Sequence, residues 1–287
     1  MWLRPMLPDS IINAYLAPWL EMAEFMDMTR DKEENFPTSE VRPESLVEYM
    51  DRAKVDRSVV LPLDFGTVEA ARTSVEEYND WVFESADRYP DKLIPFMGID
   101  PTRPEAIRLM RKYHSKFEAR GIKIYPPNGF YPYEERLRPF WDEVKDMGLL
   151  VVTHAGASWG PLDEERSRPI HLRPVLERYP DVKIIVAHLG GKYRADTYAM
   201  APHYDNMYTD CSALQGWLPG EPGVVIERLK EAFSHMDGRL IFGTDWPLFD
   251  MAYPYESWCC FIKERSFCSE ARREMLLGGT MRKLLGI

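Results

Sequence analysis

The sequence predicts one (β/α)8 barrel, and three observations support this fold class. Eight short apolar runs recur along the 287 residues, most of them bounded by Gly, Pro or Asp, with amphipathic segments between them. Continuous apolar runs of this length are typical of parallel strands covered on both faces. No Gly-rich phosphate turn such as GxGxxG follows the first run, which disfavours a doubly wound open sheet. We therefore expect a single α/β domain over residues 1–287.

The predicted strands are the apolar runs, several of which are rich in Ile and Val. Eight such strands, each followed by a helix, would close into a barrel with the helices on the outside. In chain order the predicted strands are residues 10–16, 57–63, 92–99, 121–126, 149–155, 182–188, 206–212 and 239–245.

The segments between the strands have the spacing of amphipathic helices. In residues 75–92, Tyr78, Val82 and Ala86 fall on one stripe, and the pattern stops before Pro90. Similar patterns predict helices in residues 103–121, 135–148 and 173–181.

Composition limits the classes of partner. The formal net charge of −10 argues against a nucleic-acid or anionic-membrane partner, because either would require a basic face. It is compatible with a small-molecule substrate.

The N-terminal stretch MWLRPMLPDS lacks the features of a secretory signal, and no apolar run has the length of a membrane span. The four cysteines form no CxxC pair, which predicts reduced thiols in a cytoplasmic protein.

Polar side chains end three of the predicted strands. His154, His188 and Asp245 follow the fifth, sixth and eighth apolar runs, and Lys123 lies within the fourth. Each alone has a structural explanation: a strand-end histidine often makes a structural hydrogen bond, and aspartate favours turns. Together they occupy corresponding positions, and the carboxyl ends of barrel strands meet at the face where catalytic groups gather. We therefore predict one shared site and assign the remaining histidines, His114, His171, His203 and His235, to structure or surface.

Seven motifs, which follow one another along the chain, resemble those of the amidohydrolase-related family. Members of this family include aromatic-acid decarboxylases and a pyrone-dicarboxylate lactonase. The resemblance covers nearly the whole chain and implies an amidohydrolase-like barrel, and the habit of the family implies a homodimer or larger homo-oligomer. The motifs are FMGIDPTRPEA (96–106), GIKIYPP (121–127), VVTHAG (151–156), VLERYPDVKIIVAHLGG (175–191), YTDCSA (208–213), IFGTDWP (241–247) and LLGGTMRKLLGI (276–287).

The resemblance implies a metal site that this chain matches only in part. In metal-bearing relatives a first-strand His-x-His pair joins the strand-five histidine and the strand-eight aspartate, here His154 and Asp245, while His188 matches the histidine that activates water. The first strand reads SIINAYLAP and has Tyr15 and Ala17 in place of the two histidines. Catalytic zinc usually has three protein ligands, and Tyr15 would have to ionise from a pKa of about 10 to become the third. The cofactor prediction is therefore either none or one divalent metal, zinc, held by His154 and Asp245.

The leading functional hypothesis is a hydrolase of a small cyclic or carbonyl substrate, with or without an aromatic ring and a carboxylate. The lactonase branch of the family is a precedent for hydrolysis without metal. Asp245 would act as general base, while His154 and His188 would stabilise the oxyanion with Lys123 or Tyr15 as a further donor. The alternatives are a decarboxylase or other lyase acting on an aromatic acid, and a non-catalytic barrel that binds a ligand.

The loops that follow the strands suggest how a substrate is held. Trp19, Trp159 and Trp246 come from an unusually aromatic set of loop residues, which would suit an apolar or ring-bearing substrate. Arg194 follows the sixth strand and is a candidate clamp for a substrate carboxylate. These four residues are the predicted substrate-binding residues.

Overall fold

Parallel strands alternate with helices throughout residues 42–66, 73–158, 162–250 and 253–287, which the computed structural model describes. The strands form a two-stranded sheet of order β1-β2 and a six-stranded sheet of order β3-β4-β5-β6-β7-β8, and every pairing is parallel. The strands are β1 Ser58–Val60, β2 Leu93–Pro95, β3 Met97–Gly98, β4 Gly121–Ile124, β5 Leu150–Thr153, β6 Ile184–Val186, β7 Met207–Asp210 and β8 Leu240–Ile241.

The prediction of a (β/α)8 barrel is confirmed. Seven of the predicted apolar runs contain strands, and the predicted strand at 10–16 lies outside the described residues. The predicted strand at 92–99 is divided at Phe96 into β2 and β3. The chain changes its pairing there, since β2 pairs with β1 whereas β3 pairs with β4. Phe96 N–H still donates to Val60 O at 3.0 Å, so the two pieces form one continuous barrel strand.

Helices occupy the segments where amphipathic spacing predicts them, although each helix is shorter than the predicted segment. The segment predicted at 75–92 forms a helix that ends at Asp87, and the one predicted at 103–121 begins at Ala106. The helices are α1 Pro43–Ala53, α2 Val75–Asp87, α3 Ala106–Phe117, α4 Arg138–Asp146, α5 Arg173–Arg178, α6 Arg194–Met200, α7 Pro222–His235, α8 Tyr255–Glu264, α9 Glu270–Glu274 and α10 Thr280–Leu285. None of the helices within the described ranges has both the length and the apolar character required to cross a bilayer.

The start of α2 shows how the local sequence determines a helix boundary. Ser74 and Glu77 form a capping box, in which the Ser74 hydroxyl accepts from the Glu77 N–H and the Glu77 carboxylate accepts from the Ser74 N–H. The predicted stripe of Tyr78, Val82 and Ala86 is buried. The helix therefore begins at a side-chain cap and is held against the sheet by its apolar face.

Strand alternation separates the interior of the barrel from the shell between strands and helices. Ile122, Val151 and Ile184 belong to the cluster that packs against the helices. The residues that follow them, Val152 and Ile185, belong to a separate cluster inside the barrel. Successive side chains on a strand point to opposite faces, so the residue after Ile122, which is Lys123, also points inward.

Asn79 fastens α2 to the barrel. This side chain is fully buried; its amide donates to Val75 O at 2.8 Å and to Gly98 O at 2.9 Å, and its carbonyl accepts from Gly98 N–H at 2.8 Å. It therefore satisfies both backbone polar groups of the last residue of β3.

We expect Asn79→Ala to lower the free energy of unfolding by about 2–5 kcal/mol, because the two Gly98 groups would lose their partner in a buried position. Urea denaturation monitored by circular dichroism measures this change. Glu84→Ala is a matched control, because Glu84 is an exposed residue of the same helix. A loss of the same size in both variants would contradict a special role for Asn79.

Candidate active site

Four predicted site residues come together at one cavity. Lys123 lies within β4, His154 directly follows β5, His188 follows β6 and Asp245 follows β8, and all four line the same cavity. They converge because the strands that carry them run parallel around one barrel, which places their carboxyl ends at the same face.

Lys123 is a charged residue in an otherwise apolar layer of the barrel interior. The strand register places Lys123 beside Val152, Val152 beside Ile185, and Ile185 beside Tyr208. Lys123 is only 5% exposed. Burial lowers its pKa to about 8, although the carboxylates of Asp210 and Asp245 partly oppose this shift by favouring the ammonium.

Asp245 lies close enough to this ammonium to interact with it. Burial raises the pKa of the Asp245 carboxyl above its usual value, His188 and Lys123 lower it, and Asp210 raises it further. Among the described residues, neither the Lys123 ammonium nor the Asp245 carboxylate makes a side-chain hydrogen bond. Their hydrogen-bonding capacity is therefore not used by the part of the chain that the structure describes.

His154 is a neutral ring whose proton is positioned by a backbone carbonyl. Its Nε2 lies 3.0 Å from Ala157 O, and because a carbonyl only accepts, Nε2 carries the proton and Nδ1 has a lone pair. Its pKa lies well below the usual value because the ring is buried and because His188 and Lys123 disfavour a further positive charge. The ring stacks on Tyr125 at 4.5 Å and meets the His188 ring edge-on at 5.4 Å.

His188 is connected to the end of β7. Its backbone N–H donates to Asp210 Oδ1 at 3.1 Å, and its Nδ1 lies 2.8 Å from Ser212 Oγ. Ser212 in turn donates from its hydroxyl to Asp210 Oδ1 and from its backbone N–H to the same oxygen at 3.0 Å. This arrangement leaves His188 Nε2 as the ring nitrogen without a hydrogen bond to a described residue.

Asp210 and Ser212 were absent from the residues that sequence analysis selects, yet both line the cavity. The sequence does indicate these two residues, because the predicted strand 206–212 ends on polar residues as the strands before His154 and His188 do. Asp210 and Ser212 are two positions apart, so they point to the same side. Cys211, between them, packs into the shell of the barrel instead.

The backbone is unusual at the same strand ends. In the described part of the chain, six residues other than glycine have positive φ, and two of them, Lys54 and Glu118, are helix caps. The other four follow strands of the site: His188, Leu189, Ala213 and Asp245. Residues held in this region cost roughly 1–3 kcal/mol each and tend to occur at functional sites.

Close backbone contact brings the loops after β5 and β6 together. A Cβ atom at Gly191 would lie only 2.7 Å from Gly156 Cα, a distance that carbon atoms do not tolerate. Gly191 also has φ of +56°, which favours glycine. The absence of a side chain at this position therefore permits the two loops to approach each other closely.

The predicted substrate-binding residues are found in different places. Trp246 lines the cavity, and its ring packs against Tyr49 with a centroid distance of 5.6 Å. Arg194 does not line the cavity: it begins α6 and forms an ion pair with Glu231 of α7 at 3.3 Å. The prediction that Arg194 clamps a substrate carboxylate is therefore not supported, because the side chain turns outward to a neighbouring helix. Tyr15, Trp19 and Trp159 lie outside the described residues.

The described residues supply part of a metal site. His154 Nδ1 and the Asp245 carboxylate, the two predicted ligands, make no hydrogen bond to a described side chain and are chemically suited to bind a metal. No group of three or more His, Cys, Asp or Glu residues in the described ranges is arranged to hold a metal ion. Two donors are fewer than the three protein ligands that are usual in a catalytic site, so these residues alone do not fit a catalytic divalent metal.

Solved structures with similar folds include enzymes of two reaction classes. An uncharacterized TIM-barrel protein from Bordetella bronchiseptica has a TM-score of 0.72 and 22% identity, over 95% of this chain and 92% of that chain. A 5-carboxyvanillate decarboxylase from Novosphingobium aromaticivorans, complexed with manganese and 4-hydroxy-3-methoxy-5-nitrobenzoic acid, has a TM-score of 0.66 and 15% identity, over 95% and 92% of the two chains. A putative 2-pyrone-4,6-dicarboxylic acid hydrolase from Pseudomonas putida has a TM-score of 0.60 and 18% identity, over 84% and 87%.

Among known sequences, the chain matches a protein family but no individual curated protein. A search of curated proteins found no match. A sequence model described as amidohydrolase, however, matches residues 15–287, which is nearly the whole chain and includes every strand of the described barrel. The resemblance seen in the motifs is thus confirmed, and the chain belongs to the amidohydrolase family.

Proposed function

We propose that this amidohydrolase is a hydrolase of a small cyclic or carbonyl substrate, with Asp245 as the general base. The observation that carries the proposal is the pairing of two unused groups in one cavity: a carboxylate with a raised pKa and an ammonium, neither hydrogen-bonded to a described residue. One accepts a proton and the other stabilises negative charge, which are the two requirements of hydrolysis at a carbonyl carbon.

The raised pKa makes Asp245 a stronger base than an ordinary aspartate. A general base is most effective when its pKa is near the working pH, and burial shifts Asp245 in that direction. The nearby His188 and Lys123 oppose the shift and so favour the ionised carboxylate. Its negative form is the one needed to take a proton from water.

Lys123 is the group best suited to stabilise the oxyanion. Its ammonium has donors that are free of described partners, and it lies in an apolar layer where a charge interaction is stronger than in water. His154 cannot share this task, although the sequence predicts that it does, because its one N–H is bonded to Ala157 O and its other nitrogen has a lone pair. His154 is better suited to accept a hydrogen bond from substrate or water.

The proposed reaction balances without a further reactant. Asp245 takes a proton from water while the water oxygen bonds to the substrate carbonyl carbon, and Lys123 holds the resulting oxyanion. When the oxyanion collapses, the bond from carbon to the leaving oxygen breaks, and Asp245 returns its proton to that oxygen. A cyclic ester would thereby open to a hydroxy acid.

Decarboxylation of an aromatic acid is the second candidate. It is supported by the fold similarity to the 5-carboxyvanillate decarboxylase and by the raised pKa of Asp245, whose protonated form would deliver a proton to the ring carbon that loses carbon dioxide. That solved relative contains manganese. Dependence on an added divalent metal therefore separates the two candidates.

We expect protein purified without chelator to contain well under one divalent metal per chain, and to open lactones or activated esters at a rate that chelation leaves unchanged. Elemental analysis and product assays, before and after chelation and addition of zinc or manganese, measure this. A metal content near one per chain, with decarboxylation of aromatic acids that disappears on chelation, would instead establish the second candidate.

The pH profile of kcat/KM should have two limbs. Activity falls as pH drops through the raised pKa of Asp245, because the base becomes protonated, and falls again as pH rises through about 8, because Lys123 loses its charge. Lys123→Met should reduce kcat/KM strongly and remove the alkaline limb. An alkaline limb that persists in this variant would show that another group is responsible for it.

Asp245→Asn should lower kcat by roughly 100-fold to 10,000-fold, the contribution that is typical of a positioned acid or base. Asp181→Asn is the control, since Asp181 is exposed and lies outside the cavity. Ligand binding measured by calorimetry should persist in both variants. If Asp245→Asn changes neither turnover nor affinity, the chain is a ligand-binding barrel without this chemistry.

A further inference from the structure

We propose that Asp210 and Ser212 are positioning residues, which hold the His188 ring, in its neutral form, with its proton on Nδ1 and the lone pair of Nε2 directed to the cavity. The position of the proton is a property of the folded chain alone. Its consequence for catalysis rests on the proposed function.

The position of the proton follows from counting donors and acceptors. The Ser212 hydroxyl has one proton, and an ionised carboxylate only accepts, so the hydroxyl donates to Asp210 Oδ1. The same carboxylate oxygen accepts the N–H groups of His188 at 3.1 Å and of Ser212 at 3.0 Å, which supports an unprotonated oxygen there. Ser212 Oγ then has only lone pairs to offer His188 Nδ1 at 2.8 Å, so Nδ1 must be the donor.

The backbone of His188 depends on the same carboxylate. His188 has φ of 60° and ψ of 33°, a left-handed conformation that is unfavourable for residues other than glycine. Its N–H points to Asp210 Oδ1 in this conformation. Asp210 therefore holds the main chain of His188 directly and the imidazole through Ser212.

Neighbouring strands keep these groups in register. β6 and β7 are paired, with Val186 opposite Thr209, so the residues just beyond each strand end lie side by side. Thr209 is fully buried, and its hydroxyl donates to Val186 O at 2.7 Å, which ties the two strand ends together. The distance from Ser212 to His188 thus depends on the sheet rather than on a free loop.

The fixed proton matters for the water that Asp245 activates. A water molecule has two protons, and Asp245 accepts one of them. If Nε2 accepts the other, the lone pairs of the water oxygen are left for the substrate carbon. If Nε2 carried the proton, it would donate to the water oxygen and compete with attack, so the Asp210–Ser212 pair favours the productive orientation.

Nuclear magnetic resonance of the protein labelled with 15N histidine tests the proton position without any substrate. Long-range 15N–1H correlations at a pH where the ring is neutral identify which nitrogen is protonated, and His188→Gln identifies the signals. We expect a protonated Nδ1 and an unprotonated Nε2 at His188. A protonated Nε2, or an equal mixture of the two forms, overturns the proposal.

Two variants test the relay itself. Ser212→Ala should shift His188 toward the other tautomer, and Asp210→Asn should do so as well, because an amide can donate to the serine and reverse the chain of hydrogen bonds. Both should lower kcat more than they raise KM, with a loss of up to roughly 100-fold to 10,000-fold. Ser234→Ala, which removes an exposed hydroxyl elsewhere, is the control. An unchanged tautomer in folded Ser212→Ala protein would contradict the role of Ser212.

The results separate this proposal from the proposed function. Nδ1 protonation that is lost in Ser212→Ala, together with an absence of hydrolysis, would support the positioning residues and overturn the hydrolase. Hydrolysis that requires Asp245, together with an Nε2 proton at His188, would do the reverse.

Discussion

The charge on Lys123 is the constraint on which the rest of the site depends. An ammonium inside a barrel, in a layer with Val152, Ile185 and Tyr208, loses most of its hydration and is costly unless negative groups compensate for it. Two carboxylates, Asp210 and Asp245, favour the charged form. They lie at the ends of β7 and β8, so the compensation comes from the far side of the barrel and not from a neighbouring strand.

This arrangement explains why the two carboxylates differ in their contacts. Asp210 accepts three hydrogen bonds on one oxygen, from His188 and twice from Ser212, and is therefore committed to holding the structure of the site. Asp245 makes no side-chain hydrogen bond within the described residues and is raised in pKa by burial. Both carboxylates balance the charge of Lys123, but Asp210 also fixes geometry, whereas Asp245 is the one that exchanges a proton in the proposed reaction.

The fold and four polar residues of the cavity could be predicted from the sequence because both follow from short-range patterns. Continuous apolar runs are visible in the letters, and the polar residue that ends such a run is visible with them, as at His154 and Asp245. Asp210 was missed because its strand alternates in burial and its polar end resembles a turn. The contacts of Arg194 could not be predicted, because its partner, Glu231, lies in another helix and no local pattern shows which way the arginine turns.

The positions of protons are harder to predict from the sequence than the positions of residues. The letters at His154 and His188 indicate two titratable rings, but the roles of the rings depend on acceptors that belong to other segments. A backbone carbonyl, Ala157 O, holds the Nε2 proton of His154, whereas a hydroxyl at Ser212 faces Nδ1 of His188. The two rings therefore use opposite nitrogens for structure, and each directs its other nitrogen elsewhere. In the proposed reaction, Lys123 replaces the neutral His154 as the principal donor to an oxyanion, and this change of role could be inferred only once the hydrogen bonds were known.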